Sequence, residues 1–285
     1  MRRALAAVPG AGAVAFGALC YLYLTLPDVR PLARANPAVT AFMELRADEA
    51  RREGRAPRRA WRWIPYHRIS ASLRRAVVAA EDGAFWQHSG IDVSEIEASL
   101  RTNLPRGRLP RGASTITQQL AKNLYLSPSK DPVRKLRELF IARRLEAELP
   151  KRRILELYLN VIEWGDGVYG AEAAARRYFR KPAGALGPAE AALMAGAIVN
   201  PRVLNPAQPG KGLRWRQRLI LGRLREPASP GPLPGISPSG DGGTLPPSDV
   251  VPQADRPLDP AALFGEPESV EAPASEAPPP ETDSK

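Results

Sequence analysis

The N-terminal part of the chain holds a long run without a charged side chain, which extends from Ala4 to Leu26. A helix needs about 20 apolar residues to cross the hydrocarbon core of a bilayer, and this run is slightly longer. Its second half is strongly apolar and carries tyrosines of the kind found at membrane interfaces. Because Arg2 and Arg3 precede the run, we predict one N-terminal transmembrane helix with a cytoplasmic N-terminus, within residues 1–26.

A cleaved signal peptide is the alternative for this run, since its apolar region also follows a short basic start. The run is long, however, and no small-x-small cleavage site follows it before Pro27. Residues 27–60 then form a juxtamembrane segment with a basic stretch. This stretch fits contact with anionic headgroups, or equally the solvated face of a helix from about Ala38 to Arg52. Its members are Arg51, Arg52, Arg55, Arg58 and Arg59.

Charge is distributed unevenly along the rest of the chain. Residues 227–285 hold 15 of the 31 prolines, 10 acidic residues and 2 basic ones. Such a segment buries too little apolar surface to offset its chain entropy, so we predict a disordered, proline-rich acidic tail. The first 226 residues keep 39 Lys and Arg against 20 Asp and Glu, a charge of +19. Their partner is therefore expected to be anionic: a nucleic acid, a lipid headgroup or a phosphorylated substrate.

The small numbers of cysteine and histidine residues exclude several kinds of chemistry. The chain has one cysteine, Cys20, so no intramolecular disulfide forms. The chain has two histidines, His67 and His88, which are almost too few to build a His-rich zinc site or a Ser-His-Asp triad. The chemistry that remains is that of carboxylates and cations.

From Ser70 onward the apolar residues follow helical spacing, and several helix starts are marked. Asp92 with Glu95 has the capping-box pattern, and Pro132 and Pro188 stand at first helical positions. No alternating strand pattern of comparable strength occurs, so we predict a mainly α fold. Beyond the helix that starts at Ser70, the predicted helices are Asp92–Asn103, Thr115–Tyr125, Asp131–Leu149, Arg152–Leu159 and Ala191–Ile198.

Four stretches carry the residues most suited to chemistry. Each has an ordinary explanation when taken alone: helix-end acids, a helix N-cap, a solvated ion pair, and an amphipathic core helix. The stretches are Glu-Asp-Gly-Ala-Phe-Trp-Gln-His-Ser-Gly-Ile-Asp at 81–92, Gly-Ala-Ser-Thr-Ile-Thr-Gln-Gln-Leu-Ala-Lys-Asn at 112–123, Arg-Lys-Leu-Arg-Glu at 134–138, and Lys-Arg-Arg-Ile-Leu-Glu-Leu-Tyr-Leu-Asn at 151–160.

Together, in this order and spacing, the four stretches closely resemble the peptidoglycan glycosyltransferase family, whose domain also stands at the front of bifunctional penicillin-binding proteins. The resemblance covers residues 61–206, and residues 40–43 and 61–69 are similar to the monofunctional biosynthetic branch. A bifunctional relative would continue into a domain with a Ser-x-x-Lys nucleophile. The local Ser-Pro-Ser-Lys at 127–130 lies inside the glycosyltransferase region, and we interpret it as coincidence.

The resemblance implies a lysozyme-like, mainly α glycosyltransferase domain at 61–226 with a small membrane-contacting subdomain. Its implied activity is the polymerisation of lipid II into β-1,4-linked glycan strands, with inversion at the anomeric carbon and release of undecaprenyl diphosphate. The implied partners are lipid II, the growing lipid-linked glycan, the membrane and a cell-wall synthesis or division complex, and no nucleic acid. The implied location is the bacterial inner membrane, single-pass, with a periplasmic catalytic domain.

The resemblance also assigns roles to residues of this chain. Glu81 matches the carboxylate that takes the acceptor proton, and Glu138 matches the second family carboxylate, which orients cations or a divalent metal. The resemblance leaves room for such a metal, Mg²⁺ or Mn²⁺, without requiring one. Position 130 resembles an arginine in some relatives, so the lysine there gives up bidentate geometry. The implied substrate-binding residues are Ser114, Thr115, Gln118, Gln119, Lys122, Asn123, Lys130, Arg134 and Lys135.

Two other functions compete with this interpretation. A lysozyme-like peptidoglycan hydrolase would share fold and glycan, but it needs a carboxylic acid poised to protonate a glycosidic oxygen. A membrane-tethered binder of nucleic acid or acidic polymer would explain the charge of +19 through counterion release. That binder leaves the uncharged element at 114–119 and Glu81 unexplained.

Deleting residues 227–285 is expected to leave the catalytic rate nearly unchanged, because the acidic tail has no periodic apolar face with which to pack. Thermal unfolding and turnover of the shortened chain, measured beside the full chain, test this. A large drop in melting temperature would show that the tail is docked.

Overall fold

The computed structural model describes residues 13, 16–103, 114–126 and 132–225. Helices dominate these residues, which confirms the predicted mainly α fold. A helical segment at 16–24 comes first. The α-helices after it are α1 (Ala41–Arg52), α2 (Ala71–Glu81), α3 (Val93–Asn103), α4 (Ile116–Tyr125), α5 (Pro132–Glu148), α6 (Lys151–Val161), α7 (Ala171–Phe179), α8 (Pro188–Ala197) and α9 (Lys211–Arg225), and short 3-10 turns lie at Arg30–Ala33, Tyr66–Arg68 and Ala183–Ala185.

The helix starts follow the predicted capping chemistry. Thr115 caps α4 by accepting the N–H of Gln118 at 3.2 Å, and Asp92 accepts the N–H of Glu95 at 2.9 Å at the start of α3. The helix that begins at Pro132 also agrees with prediction, although Asp131 lies outside the described residues. Predicted and observed helix ends differ by no more than three residues.

A small three-stranded sheet was not predicted. Its strands are β1 (Ala60–Trp61), β2 (Glu163–Gly165) and β3 (Val168–Tyr169), in the order β1-β3-β2 with β1 parallel and β2 antiparallel to β3. Gly167 in the β2–β3 turn has φ +66°, and a Cβ there would lie 2.7 Å from the Cβ of Arg58. Strands of two or three residues are too short to produce a visible alternating pattern.

Helix α4 lies at the centre of the described fold. It packs against α5 and α6, and also against α1, while α2, α8 and α9 pack on one another. The side chains of Ile116, Leu120 and Ala121 on α4 are fully buried, and α6 is buried along most of its length. This arrangement brings the second, third and fourth sequence stretches onto adjoining helices, α4, α5 and α6.

Among the described residues, no helix combines the length and apolar character needed to cross a bilayer. Residues 1–12, 14 and 15, which include the first part of the predicted transmembrane run, lie outside the described residues, and so does the predicted tail at 227–285. The transmembrane helix, the tail and the membrane-contacting subdomain therefore stay predictions.

Residues 22–36, which we call the N-terminal strap, are bound to the helical body by hydrogen bonds and apolar packing. The Arg144 guanidinium of α5 donates to the carbonyl oxygens of Tyr23 at 3.0 Å and Leu26 at 3.4 Å, and it stacks 4.4 Å from the Tyr23 ring centroid. The last carbonyls of a helix lack the usual donors from within the helix, and Arg144 supplies a charged donor to two carbonyls at this end. Val29 and Leu32 are buried in the core.

A second arginine, Arg153 of α6, holds the far end of the N-terminal strap. It donates to the Leu32 and Ala35 carbonyl oxygens, both at 2.8 Å, and to Asn36 Oδ1 at 2.9 Å. Hydrogen bonds from a charged donor are the stronger kind. The segment before the first long helix is therefore joined to α5 and α6.

Arg153→Ala is expected to lower the free energy of unfolding by roughly 1.5–3 kcal/mol and to speed amide exchange at residues 29–36, because three acceptors lose a charged donor. Arg152→Ala, which removes the exposed neighbour on α6, is the matched control. Equal exchange rates in the two variants would show that the N-terminal strap does not depend on Arg153.

Candidate active site

Glu81, the predicted proton acceptor, is the last residue of α2. The Asp82 N–H still donates to the Val78 carbonyl, but the Asp82 backbone leaves the helical region, so α2 stops there. The Glu81 side chain is partly exposed to solvent, and its Oε2 accepts a 3.0 Å hydrogen bond from Gln119 Nε2 of α4. The first and second sequence stretches thus meet at this carboxylate.

The neighbouring carboxylate, Asp82, points into the protein and is 2% exposed. One of its oxygens accepts the N–H of Ile116 at 2.9 Å, at the first residue of α4. The other lies 2.8 Å from His88 Nε2, while His88 Nδ1 accepts the N–H of Gly90 at 3.1 Å. These partners place a proton on Nε2 of the imidazole. Asp82 therefore joins the end of α2 to the start of α4.

The uncharged stretch on α4 divides into accessible and buried groups. Thr115 is buried, and its hydroxyl donates to the Gly90 carbonyl at 2.8 Å while it caps the helix. Gln118 is also buried, and its Oε1 has no hydrogen-bond partner in the described part of the chain. Asn123 donates to the Gln119 carbonyl at 2.8 Å. Ser114 is only partly buried, so it is the hydroxyl of this stretch best placed for a ligand.

Glu138 of α5 is a buried carboxylate between two cations. Arg134 Nη1 donates to its Oε2 at 3.0 Å, and Lys135 Nζ donates to its Oε1. Lys135 Nζ also reaches Ser114 Oγ at 3.3 Å, which links α5 to the start of α4. The predicted position of Glu138 between cations is what the structure shows. Both of its oxygens are occupied by protein donors.

The pKa values indicate how the charges of the site act on one another. Burial raises the pKa of the Glu81 carboxyl, and the Gln119 hydrogen bond and the positive charges of Arg216 and Lys122 oppose that rise. Burial lowers the pKa of the Lys122 amine, and Glu138 is the main charge that opposes this fall. Lys122 therefore interacts with both predicted carboxylates, and a carboxylate with a raised pKa is a stronger base.

A divalent metal does not fit the donor atoms described so far. Glu138 would have to release Arg134 or Lys135. Within the described ranges, one group of residues has side chains of metal-binding type close together. It consists of Asp82, His88 and Asp92, whose possible ligand atoms lie within 4.8 Å of one another. Both oxygens of Asp82, both ring nitrogens of His88 and Oδ1 of Asp92 already take part in hydrogen bonds. This group fits the positioning of α3 and α4 better than the binding of a metal.

Most of the predicted site residues come together, and sequence analysis missed others. The structure joins Glu81 to Gln119 and Glu138 to the cations of α5, whereas Lys130 lies outside the described residues. The missed residues are Arg216 of α9, whose charge acts on Glu81, and Tyr158 of α6, which was interpreted only as core. Tyr158 did give a signal, because a tyrosine in a fully buried helix needs a partner for its hydroxyl.

Comparison with known proteins identifies the family to which the chain is similar. The transglycosylase family matches residues 49–225. A protein of Aromatoleum aromaticum is 53% identical over 189 residues, which are 65% of this chain and 82% of the relative. One of Nitrosospira multiformis is 46% identical over 195 residues, 68% of this chain and 85% of the relative.

A third relative, from Thiobacillus denitrificans, is 52% identical over 186 residues, 65% of this chain and 79% of the relative. All three relatives are named biosynthetic peptidoglycan transglycosylase. The predicted resemblance is confirmed, and the chain belongs to the transglycosylase family.

Proposed function

We propose that this chain is a peptidoglycan glycosyltransferase that polymerises lipid II into β-1,4-linked glycan strands. The observation that carries the proposal is the pairing of a partly exposed carboxylate with a raised pKa, Glu81, and a group of cations on α4 and α5. The names of the relatives support the same reaction. Glycosyl transfer from a lipid-diphosphate donor requires two components, a proton acceptor and a set of fixed cations.

The proposed reaction begins at the acceptor. The 4-hydroxyl of the sugar on lipid II attacks the anomeric carbon of the growing lipid-linked glycan, and its proton passes to Glu81 as the new C–O bond forms. A sugar hydroxyl is a poor nucleophile at neutral pH, so a base contributes strongly to the rate. The bond from the anomeric carbon to the diphosphate oxygen breaks with inversion, and undecaprenyl diphosphate leaves.

The cations act on the leaving group. A diphosphate departs as a stable anion, so the enzyme needs positive charge there and no strong acid. Lys122, Arg134 and Lys135 supply that charge, and Glu138 holds two of these side chains in place. Ser114, which Lys135 contacts, is suited to a sugar or phosphate oxygen. Lys130, which lies outside the described residues, is also proposed to bind the diphosphate.

The remaining polar residues of α4 have supporting roles in this proposal. Gln119 orients Glu81, and Asn123 and Thr115 hold the helix that carries it. Gln118 has one buried oxygen that finds no partner among the described residues, which leaves an acceptor for a ligand hydroxyl that reaches it. Glu81 is the only one of these side chains assigned to proton transfer.

A substrate with a lipid tail places the enzyme at a membrane. We propose an inner-membrane protein with one transmembrane helix within residues 1–26 and a periplasmic catalytic domain. Confining enzyme and substrate to one surface raises their effective concentration. A cell-wall synthesis or division complex is the proposed recruiting partner.

A peptidoglycan hydrolase is the alternative function that would act on the same glycan. It would need a protonated carboxylic acid beside a glycosidic oxygen, whereas the cations beside Glu138 favour a diphosphate. Purified full-length chain with lipid II should yield a ladder of uncleaved polymer and undecaprenyl diphosphate. Release of fragments from preformed peptidoglycan would support the hydrolase instead.

Glu81→Gln is expected to lower polymer formation by roughly 10²- to 10⁴-fold, because it removes the proton acceptor and keeps the side-chain shape. Circular dichroism should show an unchanged fold. Glu44→Gln, a change at an exposed acid of α1, is the control. Activity of Glu81→Gln within tenfold of the unaltered protein would remove Glu81 from the base role.

Lys122→Ala and Arg134→Ala are expected to lower turnover of lipid II steeply, because the charge they stabilise grows as the bond breaks. Lys122 gives the cleaner test, since its amine makes no ion pair with the described residues, whereas loss of Arg134 also removes one of the two cations that pair with buried Glu138. Arg55→Ala serves as the control, at an exposed cation that pairs with Glu53. Similar small losses in all three variants would indicate a general anion-binding surface.

A further inference from the structure

A chain of two hydrogen bonds connects the fully buried Tyr158 to Glu81. The Tyr158 hydroxyl of α6 donates to Gln119 Oε1 at 2.9 Å, and Gln119 Nε2 donates to Glu81 Oε2 at 3.0 Å. Gln119 Nε2 also lies 3.4 Å from the Ser114 carbonyl oxygen. Residues from α6, α4 and α2 are thus linked in one line that ends at the proposed base.

The direction of these bonds is set by the chemistry of the two ends. An ionised carboxylate accepts hydrogen bonds and never donates them, so Gln119 must present its NH₂ group to Glu81. The amide oxygen then faces Tyr158, which has to donate. Burial, with added repulsion from the charges of Glu81 and Asp82, raises the pKa of the Tyr158 phenol well above its usual value, so it keeps its proton.

A turned Gln119 amide would bring its oxygen against the Glu81 carboxylate. Two acceptors would then face each other in a largely buried place, where electrostatic interactions are strong. The Tyr158 hydroxyl opposes that turn because it needs an acceptor in the protein interior, where water does not replace it. Tyr158 therefore selects the amide orientation that supports an ionised Glu81.

We propose that Tyr158 is a positioning residue for the glycosyl transfer and that it acts on Glu81 through the Gln119 amide. The inference rests on the proposed role of Glu81 as the base. Tyr158 touches no reacting atom in this account. Its effect is to hold one Glu81 oxygen and to favour the ionised form that accepts the proton.

The test is the dependence of kcat on pH for Tyr158→Phe. We expect kcat to fall by about tenfold, the loss that corresponds to one such hydrogen bond, with little change in KM. The acidic limb of the profile should move to higher pH. In this variant the phenol no longer holds the Gln119 amide, so the amide hydrogen bond to Glu81 weakens. Because that bond favours the ionised carboxylate, its weakening raises the Glu81 pKa further.

The other charges around Glu81 remain in this variant. They are Asp82 beside it, Lys122 on α4 and Arg216 on α9, so a shift of the limb reports on the amide. Tyr178→Phe is the matched control, since the Tyr178 hydroxyl donates to the Trp164 carbonyl at 2.9 Å. Its acidic limb should stay in place even if stability falls.

Gln119→Ala keeps the test decisive if Tyr158→Phe folds poorly. It should move the acidic limb in the same direction, and adding Tyr158→Phe to it should cause no further movement, because both act through one amide. An unmoved limb in Tyr158→Phe or in Gln119→Ala would overturn the proposal. Failure of the unaltered protein to polymerise lipid II would instead reject the proposed function, so the two failures are distinct.

Discussion

The buried carboxylate of Asp82 joins two helices, and the geometry of the candidate site depends on that junction. Its oxygens bind the first amide of α4 and the His88 ring, directly after the last residue of α2. The helix N-terminus is a favourable place for a negative charge, because its amides point outward without partners. Glu81 and Gln119 are held within hydrogen-bonding distance as a consequence. One acid of the pair is thus structural, and the other stays partly accessible.

The four sequence stretches show the same division between buried residues that hold the fold and accessible residues of the candidate site. Thr115 and Asp82 are buried and hold the helix starts, whereas Glu81, Ser114 and Lys135 remain partly or fully accessible. Helix α5 connects the site to the N-terminal strap, since it carries Arg134 and Glu138 near one end and Arg144 near the other. Arg134 and Lys135 therefore lie on the helix that also contacts the C-terminal end of the proposed anchor.

Much of the helical fold was predictable from local chemistry. Caps and first-turn prolines act within a few residues, so the sequence indicates them directly, as at Thr115 and Pro188. The strands β1 and β3 are short and pair across about a hundred residues, so no local pattern reveals them. The arginine contacts of the N-terminal strap are equally distant in sequence.

The candidate site was predictable in its residue types and less so in its connections. The motif resemblance identified Glu81 and Glu138, and the spacing on α5 placed Glu138 beside Arg134 and Lys135. The Tyr158–Gln119–Glu81 connection spans three helices, and periodicity alone assigns Tyr158 to the core. Arg216 comes from α9, which lies outside all four stretches. Only the packing of the helices shows these contributions.

A crystal structure of the Glu81→Gln protein with a lipid-linked disaccharide bound tests the proposed site most directly. We expect a diphosphate within hydrogen-bonding distance of Lys122, Arg134 or Lys135, and a sugar hydroxyl that faces residue 81. A diphosphate bound instead at the exposed arginines of α1, with nothing between α2 and α5, would contradict it.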